Sequence, residues 1–376
     1  MADYAARSPK IRVALIGLGM WGARAHLPAF ADRADVDVVA IVEPNLAVVR
    51  EPAARFGVTR LETDAANLFR DPDGVDAVVI STPDDTHRDL ALAAFGAGMH
   101  VLCEKPLAYD LPQAIEMAIA ATASGKVGKL GFLSRFSPVL QRMKTLVADG
   151  FIGDLQVFES HTVNAQFVDP ERPIHWKMQR ARANGGVSVE YGSHAIDLAL
   201  WFGGPLSRVV GQESILIGAR PDGRGGRQRV DVDDASAWLA TYVSGGQASF
   251  QMGWASLPVG GGGVRLYGSR GSLAWVQDPT GRRSESLWAA TLDRPEPHVL
   301  FEFAPPPEPR YDDGEFPLGL YARYNAGLVE SFIADIKTGR ATSPSFADGL
   351  AVQRVLAALR VSLDEARWAA VPHDDL

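Results

Sequence analysis

The sequence predicts an α/β protein with two domains: an N-terminal parallel sheet, and a C-terminal α/β domain with a large open, mostly antiparallel sheet. From residue 11 to about residue 133, short apolar runs alternate with helical patterns, which is typical of a parallel sheet covered by helices on both faces. From about residue 135, turn sequences such as Ser244-Gly245-Gly246 separate the apolar runs, which favours antiparallel hairpins. A chain of 376 residues exceeds one ordinary core, so we place the domains at 1–134 and 135–376.

The elements of the first domain follow from this alternation. Strands are predicted at 11–16, 36–42, 77–81, 100–104 and 128–133, and helices at 47–56, 86–96 and 111–124. Pro28 lies in the helix after the first strand. It removes the hydrogen bond to the carbonyl of Arg24, so we expect a kink there.

The second domain is predicted to combine hairpins with helices on one face. The strands are 155–163, 235–243, 247–252, 264–267 and 272–276, and the helices are 138–149, 188–202, 320–338 and 346–367. The segments 218–229, 257–263 and 304–317 are rich in Gly, Pro and charge, and we interpret them as surface loops or insertions. Helices on one side leave the other face of the sheet open, so we expect a second subunit to bury it.

Composition limits the class of protein. With 47% apolar and 22% charged residues, the chain is typical of soluble globular proteins, and a net charge of −8 argues against a nucleic-acid or anionic-membrane partner. Residues 1–10 contain no apolar signal segment, and no apolar run is long enough for a membrane span. The single cysteine, Cys103, is predicted to be a buried apolar residue. These observations predict a cytoplasmic protein, and the scattered histidines predict no metal site.

A glycine-rich loop, Gly17-Leu18-Gly19-Met20-Trp21-Gly22, follows the first strand and precedes a helical pattern. This is the context that a dinucleotide-binding loop requires. Gly17 permits the tight turn, Gly19 lets the backbone approach a pyrophosphate, and Gly22 lets helix and strand pack closely. Free N–H groups at the helix N-terminus bind phosphates. The sequence therefore predicts a dinucleotide site of the Rossmann type.

The second strand ends at Glu43, 21 residues after Gly22. A carboxylate there accepts hydrogen bonds from the ribose hydroxyls and repels a 2′-phosphate, so we predict NAD rather than NADP. Ser81-Thr82-Pro83 ends another strand at the same edge of the sheet, where ligands bind in open α/β folds. These residues either line the nicotinamide ribose or form a strand-to-helix turn, and both interpretations can hold together.

Lys105 is the first candidate for the chemistry. Oxidation of an alcohol by hydride transfer needs a group that takes the hydroxyl proton. Lys105 follows Glu104 at the carboxyl end of the strand 100–104, at the same edge as the glycine loop. Partial burial there lowers the pKa of the lysine or directs its charge at a substrate oxygen. The alternative is an exposed loop lysine.

The second candidate set lies on the predicted helix 188–202. Glu190, His194 and Asp197 are spaced four and three residues apart and share one helix face. A histidine titrates near neutral pH, so His194 can move a proton, while Glu190 can orient the imidazole or hold a substrate hydroxyl. The alternative is a solvated or salt-linked surface. The preceding Gly185-Gly186 allows a ligand to approach.

Several of these motifs occur together, in order, over nearly the whole chain. They are the glycine loop, Ser81-Thr82-Pro83 with His87, Glu104-Lys105-Pro106, Arg135-Phe136, Trp176, the segment 185–197, and Phe346-Ala347-Asp348-Gly349. In this set the chain resembles the glucose–fructose oxidoreductase, inositol dehydrogenase and MocA family (Gfo/Idh/MocA). The resemblance implies a Rossmann domain followed by an open-sheet α/β domain, assembled as a homodimer or homotetramer. It also implies NAD(P)-linked oxidation or reduction of a sugar, cyclitol or related polyol.

The resemblance also implies roles for individual residues. Lys105 would contact nicotinamide and substrate beside a cis Pro106, and His194 would be the proton shuttle. Glu190 stands where the family usually has aspartate, so its carboxylate reaches about one methylene further. The implied cofactor-binding residues are Gly17, Gly19, Met20, Trp21, Gly22, Glu43, Ser81, Thr82, Pro83, His87, Glu104 and Lys105. The implied substrate-binding residues are Lys105, Arg135, Asn164, Trp176, Lys177, Glu190 and His194.

Two other functions stay open at this point. Some relatives use tightly held NAD to oxidise a sugar transiently and eliminate its glycosidic substituent, which would give a glycoside-cleaving enzyme without net redox. Others are non-catalytic sensors, and the presence of both Lys105 and His194 argues against that function.

Overall fold

The computed structural model describes residues 10–70, 74–278, 283–305 and 318–373. The first domain is a six-stranded parallel sheet in the order β3-β2-β1-β4-β5-β6, the order of a dinucleotide-binding Rossmann domain. Its strands are β1 Ile11–Ile16, β2 Val36–Val42, β3 Arg60–Glu62, β4 Ala77–Ile80, β5 His100–Cys103 and β6 Gly128–Leu130. Its helices are α1 Leu27–Ala31, α2 Leu46–Arg55, α3 Ala65–Arg70, α4 His87–Gly96 and α5 Leu111–Ser124.

Most predicted elements of this domain are confirmed within one or two residues, and three details differ. The sequence analysis missed β3 and α3, and the strand predicted at 128–133 ends at Leu130, where a 3₁₀ turn at Leu133–Phe136 follows. The helix that contains Pro28 also departs from regular α-helical geometry. A π-helical turn, Gly22–His26, leads directly into α1, so the hydrogen-bond pattern is irregular just before the proline at which the sequence predicts a kink.

The second domain is built on a nine-stranded sheet in the order β16-β15-β14-β13-β7-β12-β11-β8-β17. Only β7 and β12 are parallel neighbours in this sheet. The strands, with the separate hairpin β9–β10, are β7 Leu155–Val163, β8 Leu206–Ser214, β9 Ala219–Pro221, β10 Arg227–Arg229, β11 Ala235–Tyr242, β12 Gln247–Gly253, β13 Gly263–Gly268, β14 Gly271–Gln277, β15 Glu285–Thr291, β16 His298–Phe303 and β17 Ala369–Ala370. The helices are α6 Pro138–Ala148, α7 Arg180–Ala183, α8 Val187–Glu190, α9 Gly192–Gly203, α10 Leu320–Thr338 and α11 Phe346–Glu365.

The structure corrects several expectations for this domain. The segment 218–229 contains the hairpin β9–β10 and is not simply a loop, and the helix predicted at 188–202 is divided into α8 and α9 at Tyr191. The strands β8, β15, β16 and β17 were missed. Of the loop predicted at 304–317, residues 306–317 lie outside the described residues, as do residues 1–9 of the segment searched for a signal peptide.

One face of the large sheet is open. Along β11, Trp238, Ala240 and Tyr242 are buried whereas Leu239 between them is exposed, and partly exposed Trp288 belongs to β15. This alternation shows that one side of the sheet packs into the core while the other faces outward. None of the helices in the described part of the chain combines the length and apolar character needed to cross a bilayer.

The last two long helices join the domains. Phe332 of α10 packs edge-on against Phe30 of α1, with ring centroids 6.4 Å apart. The buried ammonium of Lys129 in β6 donates to Asp335 of α10 at 2.7 Å. Helix α11, which begins in a capping box formed by Ser345 and Asp348, packs against both α5 and β8. Residues near the C-terminus therefore complete the packing of the N-terminal domain.

Candidate functional site

The glycine loop is fixed by contacts that only glycine permits. Gly17 has a φ of 86°, and a Cβ on it would lie 2.4 Å from the carbonyl oxygen of Ser81. A Cβ on Gly22 would lie equally close, at 2.4 Å, to the carbonyl oxygen of Gly17. By contrast, a Cβ on Gly19 would have open space around it, with no heavy atom within 4 Å. The loop thus packs tightly against the sheet and leaves room in front of Gly19, where a pyrophosphate would bind.

Glu43 lies beside this loop at the carboxyl end of β2. Its Oε2 accepts a hydrogen bond from the backbone N–H of Leu18 at 3.1 Å, and its Oε1 accepts one from Asn45 at 3.2 Å. Met20 is about half exposed, and Trp21 packs edge-on against His26. Backbone N–H groups therefore hold the Glu43 carboxylate next to the glycine loop.

The turn after β4 is linked to the turn after β5 through His87. The imidazole of His87 is fully buried, with Nδ1 2.9 Å from the carbonyl oxygen of Pro106 and Nε2 3.0 Å from that of Thr82. The Thr86 hydroxyl lies 2.7 Å from both the Thr82 hydroxyl and the Pro83 carbonyl. Both ring nitrogens of His87 therefore contact protein carbonyl groups, and the imidazole links the turn after β4 to the turn after β5.

Lys105 begins the turn after β5. The Lys105–Pro106 peptide bond is cis, which confirms the expectation from the family resemblance. Glu104 points inward: its Oε1 lies 2.9 Å from Nε2 of the buried His26, and its Oε2 accepts the backbone N–H of Lys105 at 3.2 Å. The carboxylate of Glu104 thus connects the π-helical turn after the glycine loop to the backbone of the lysine. Cys103 is fully buried, as predicted.

The ammonium of Lys105 reaches across to the second domain. Its Nζ lies 2.9 Å from Oε2 of Glu190 and donates to the backbone oxygen of Glu190 at 3.2 Å. Burial alone would lower the pKa of Lys105, but the Glu190 carboxylate outweighs burial and raises it. Lys177 donates to the other oxygen of Glu190 at 2.5 Å. Burial would raise the pKa of Glu190, but the two ammonium groups hold it well below its usual range. Lys105 and Glu190 are therefore both charged near neutral pH.

His194 follows one turn after Glu190, on α9. Its ring is partly exposed and packs edge-on against Phe132, with centroids 6.0 Å apart. Burial and the positive charge of Lys105 lower the pKa of His194 to about 3. Its Nδ1 is buried without a hydrogen-bond partner among the described residues. The imidazole is therefore neutral near pH 7, the form that accepts a proton.

The remaining substrate-site candidates separate into two groups. Trp176 and Lys177 occupy a 3₁₀ turn, Trp176–Met178, and the Lys177 ammonium lies 5.5 Å from the centre of the Trp176 ring. Asn164 follows β7, and its Oδ1 accepts the backbone N–H of Gln166 at 2.9 Å. Trp176 is thus placed beside Glu190 through its neighbour Lys177, whereas the amide of Asn164 is used in a local turn.

Arg135 is located differently from the expectation. Its buried guanidinium donates two hydrogen bonds to Asp197 of α9, at 2.9 and 2.6 Å, and pairs with Asp348 of α11 at 3.1 Å. Arg135 therefore links the 3₁₀ turn Leu133–Phe136, which follows β6, to two helices of the second domain. Asp197 is buried in this pair, so it does not share the site of Glu190 and His194.

The structure adds one residue that the sequence analysis missed. Asp84, directly after Ser81-Thr82-Pro83, is only 4% exposed and lies close enough to Lys105, Lys177 and Glu190 for their charges to act on it. Its position after a motif at the ligand-binding edge was the only sequence signal. Among the described residues, no three His, Cys, Asp or Glu side chains are grouped as a metal site would require.

Comparison with known proteins gives the family. Residues 11–132 match the model of an oxidoreductase family with an NAD-binding Rossmann fold, and residues 140–274 match the GFO/IDH/MocA C-terminal domain. Levoglucosan dehydrogenase of Pseudarthrobacter phenanthrenivorans is 29% identical, over 96% of this chain and 98% of the relative. Inositol 2-dehydrogenase of Rhizobium meliloti is also 29% identical, over 96% of this chain and 99% of the relative.

Solved structures agree with this assignment. A levoglucosan dehydrogenase in complex with NADH matches 97% of this chain and 100% of that chain, with a TM-score of 0.84 and 27% identity. A complex of that enzyme with NADH and levoglucosan matches 96% and 99%, with a TM-score of 0.84 and 27% identity. The chain therefore belongs to the GFO/IDH/MocA family of NAD-binding oxidoreductases.

Proposed function

We propose that this protein is an NAD-dependent dehydrogenase that transfers a hydride between the nicotinamide and a CH–OH or carbonyl group of a sugar, cyclitol or related polyol. One observation carries the proposal. Lys105 comes from the edge of the Rossmann sheet, Glu190 comes from the second domain, and their side chains meet beside the neutral imidazole of His194. The names of the levoglucosan and inositol dehydrogenases support this substrate class.

The residues of the first domain fit NAD. The space in front of Gly19 suits a pyrophosphate, and Glu43 is oriented by backbone N–H groups at the position where a ribose would bind. A carboxylate there accepts hydrogen bonds from ribose hydroxyls and repels a 2′-phosphate. We therefore propose a preference for NAD over NADP. When bound, NAD supplies the atom that accepts or donates the hydride.

Lys105 acts as a charged hydrogen-bond donor. Its raised pKa, which results from Glu190 outweighing burial, keeps the ammonium protonated at neutral pH. An ammonium in a largely buried site stabilises negative charge that develops on the substrate oxygen. Lys105 thus orients and polarises the reacting C–O bond and does not itself remove the proton.

His194 acts as the general acid and base. A neutral imidazole accepts the hydroxyl proton as the hydride leaves the carbon, and returns a proton in the reverse reaction. The position of Glu190, one turn before His194, lets it hold Lys105 in place and accept a hydrogen bond from a substrate hydroxyl. Trp176, beside Lys177, offers an aromatic surface for an apolar sugar face.

The function is tested with NAD and a panel that contains levoglucosan, inositol and a glucoside, by following the absorbance of NADH. We expect NAD reduction with at least one compound, and a loss of about 10²- to 10³-fold in kcat for Lys105→Met, as when a charge-stabilising donor is removed. Fluorescence titration should show that this variant still binds NADH. Full activity in Lys105→Met would contradict the assigned chemistry. Release of an aglycone from the glucoside without accumulation of NADH would instead indicate glycoside cleavage.

We also propose that a second copy of the chain covers the open face of the large sheet, in a homodimer or homotetramer. Exposed Leu239 and partly exposed Trp288 and Val299 lie on strands of this sheet, and Val299 is the register partner of Trp288. Apolar patches that face outward are typical of subunit interfaces. Light scattering coupled to size-exclusion chromatography should give two or four copies, and a charged residue in place of Trp288 should shift the protein toward smaller species.

A further inference from the structure

Asp84 is a largely buried residue whose carboxyl group has no hydrogen-bond donor among the described residues. It begins the 3₁₀ turn Asp84–Thr86 at the carboxyl end of β4 and is 4% exposed. Within the described chain, no residue donates a hydrogen bond to its side chain, whereas the neighbouring Asp85 pairs with Arg182 at 2.9 Å. Buried polar groups are nearly always hydrogen-bonded, and an isolated one is costly. Asp84 is therefore expected to gain its partner from a ligand.

The turn Asp84–Thr86 is linked to the turn that begins at Lys105. His87 lies within hydrogen-bond distance of the carbonyl oxygens of Thr82 and Pro106, at 3.0 and 2.9 Å. Because Pro106 follows Lys105 directly and Thr82 lies two residues before Asp84, His87 links the turn of Asp84 to the turn of Lys105. The Thr86 hydroxyl closes the same turn through Pro83.

The charged groups near Asp84 come from both domains. Asp85 belongs to its own turn, Lys105 to the adjacent turn, and Lys177 and Glu190 to the second domain; the charges of all four act on Asp84. Charged groups of both domains therefore lie within electrostatic range of the Asp84 carboxyl group, and its turn is at the same edge of the sheet as the Lys105–Glu190 ion pair.

We propose that Asp84 is a substrate-contacting residue that hydrogen-bonds a hydroxyl group of the sugar or polyol, next to the carbon that reacts. The proposal rests on the dehydrogenase function proposed above and adds a specificity-determining contact to it. A carboxylic acid both donates and accepts, as a hydroxyl group does. A site that pairs a substrate hydroxyl in this way discriminates strongly against analogues that lack it.

The protonation state follows from the surroundings. Burial and the negative charge of Glu190 raise the pKa of Asp84 to about 8, so the carboxyl is protonated at pH 7. Above pH 8 it loses its proton, can no longer donate, and places a second negative charge near Glu190. The affinity for a hydroxyl group is therefore expected to be highest below pH 8.

The test compares Asp84→Asn, Asp84→Ala and a matched control, Asp89→Asn. Asparagine keeps the shape and the donor and acceptor of the protonated acid but does not titrate. Asp89 carries the same functional group a few residues away, is 78% exposed and pairs only with Arg88 among the described residues. For each protein, kcat and KM are measured from pH 6 to 9.5 with the most reactive of levoglucosan, inositol and a glucoside, and the Kd of NADH is measured by fluorescence.

We expect Asp84→Ala to lower kcat/KM about 10- to 100-fold at pH 7, mainly through KM, because one hydrogen bond in a buried site is lost. Asp84→Asn should recover about tenfold of this loss and remove the fall of the wild-type kcat/KM above pH 8. The Kd of NADH should change less than about threefold in all variants, since the contact is made with the substrate. Asp89→Asn should follow the wild-type profile.

Three results would overturn the role of Asp84 in an active enzyme: wild-type kinetics in Asp84→Ala, an Asp84→Asn variant as impaired as Asp84→Ala, or an NADH affinity that falls as much as kcat/KM. If the wild-type protein reduces NAD with none of the three compounds while binding NADH, the proposed function itself fails, and the role of Asp84 falls with it. The two failures are thus distinguished by the wild-type assay alone.

Discussion

Lys105 and Glu190 form an ion pair across the two domains, with Nζ and Oε2 2.9 Å apart. Each keeps the other charged in a largely buried site. Because Lys177 holds the second oxygen of Glu190, the carboxylate has a single orientation. The carboxylate of Glu190 thereby bridges two ammonium groups.

Glu190→Gln should therefore lower kcat, because it changes the charge and orientation of Lys105. Without the carboxylate, burial lowers the pKa of Lys105 and the ammonium loses its orientation. We expect kcat to fall about 10- to 100-fold, less than for Lys105→Met. Glu190→Asp keeps the charge but shortens the reach, so its activity should lie between that of Gln and wild type. An unchanged kcat in Glu190→Gln would show that the pair does not orient the reacting group.

The pH profile tests the neutral state of His194. A pKa of about 3 means that the imidazole is already deprotonated throughout pH 5–7, so kcat/KM should not fall there on account of this group. His194→Gln should lower kcat about 10²- to 10⁴-fold at every pH in that range, the contribution of a general base. An acidic limb near pH 6.5 that disappears in His194→Gln would contradict the lowered pKa.

Gly17 and Gly19 should respond differently to alanine. Gly17→Ala places an alanine at a φ of 86°, and its Cβ would lie 2.4 Å from the carbonyl oxygen of Ser81. The thermal midpoint of unfolding should therefore fall. Gly19→Ala meets no protein atom within 4 Å and should leave that midpoint nearly unchanged while it weakens NADH binding at least tenfold. Equal affinity for NADH in Gly19→Ala and wild type would place the pyrophosphate elsewhere.

Arg135→Met distinguishes a structural role from the substrate role predicted from the sequence. The substitution leaves Asp197 buried without its two hydrogen bonds, which should lower the free energy of unfolding in urea by about 3–5 kcal/mol. In the double variant Arg135→Met, Asp197→Leu, part of that stability should return, because no unpaired charge remains. A normal urea midpoint with a raised KM would instead support contact with the substrate.

The first domain could be predicted closely because β1, β2, β4 and β5 are dominated by apolar residues and separated by turn signals or helical patterns. β3 and α3 were missed since Arg60–Glu62 is a short edge strand with polar ends and Ala65–Arg70 is only six residues long. In the second domain, β8 combines Arg208, Gly211 and Glu213 with its apolar residues, so its alternation is weak.

Within the site, Lys105, Glu190 and His194 could be selected because recognisable motifs contain them. The location of Arg135 could not, since its partners Asp197 and Asp348 are distant in sequence. Asp84 could not be selected because a sequence does not show whether a carboxyl group is buried or has a hydrogen-bond donor. Both depend on the folded position of its turn, which contacts His87 through Thr82.

The packing of α10 and α11 on the first domain has a consequence for synthesis. Phe332 and Asp335 of α10 contact Phe30 and Lys129 of the first domain. The last strand of that domain, β6, is synthesised roughly 200 residues before these two residues, and domains generally fold as units during translation. During synthesis, the surface of the first domain that α10 covers therefore stays exposed until translation is almost finished. Chain termination shortly before residue 320 should therefore yield an aggregation-prone fragment that needs chaperones, even though the glycine loop is intact.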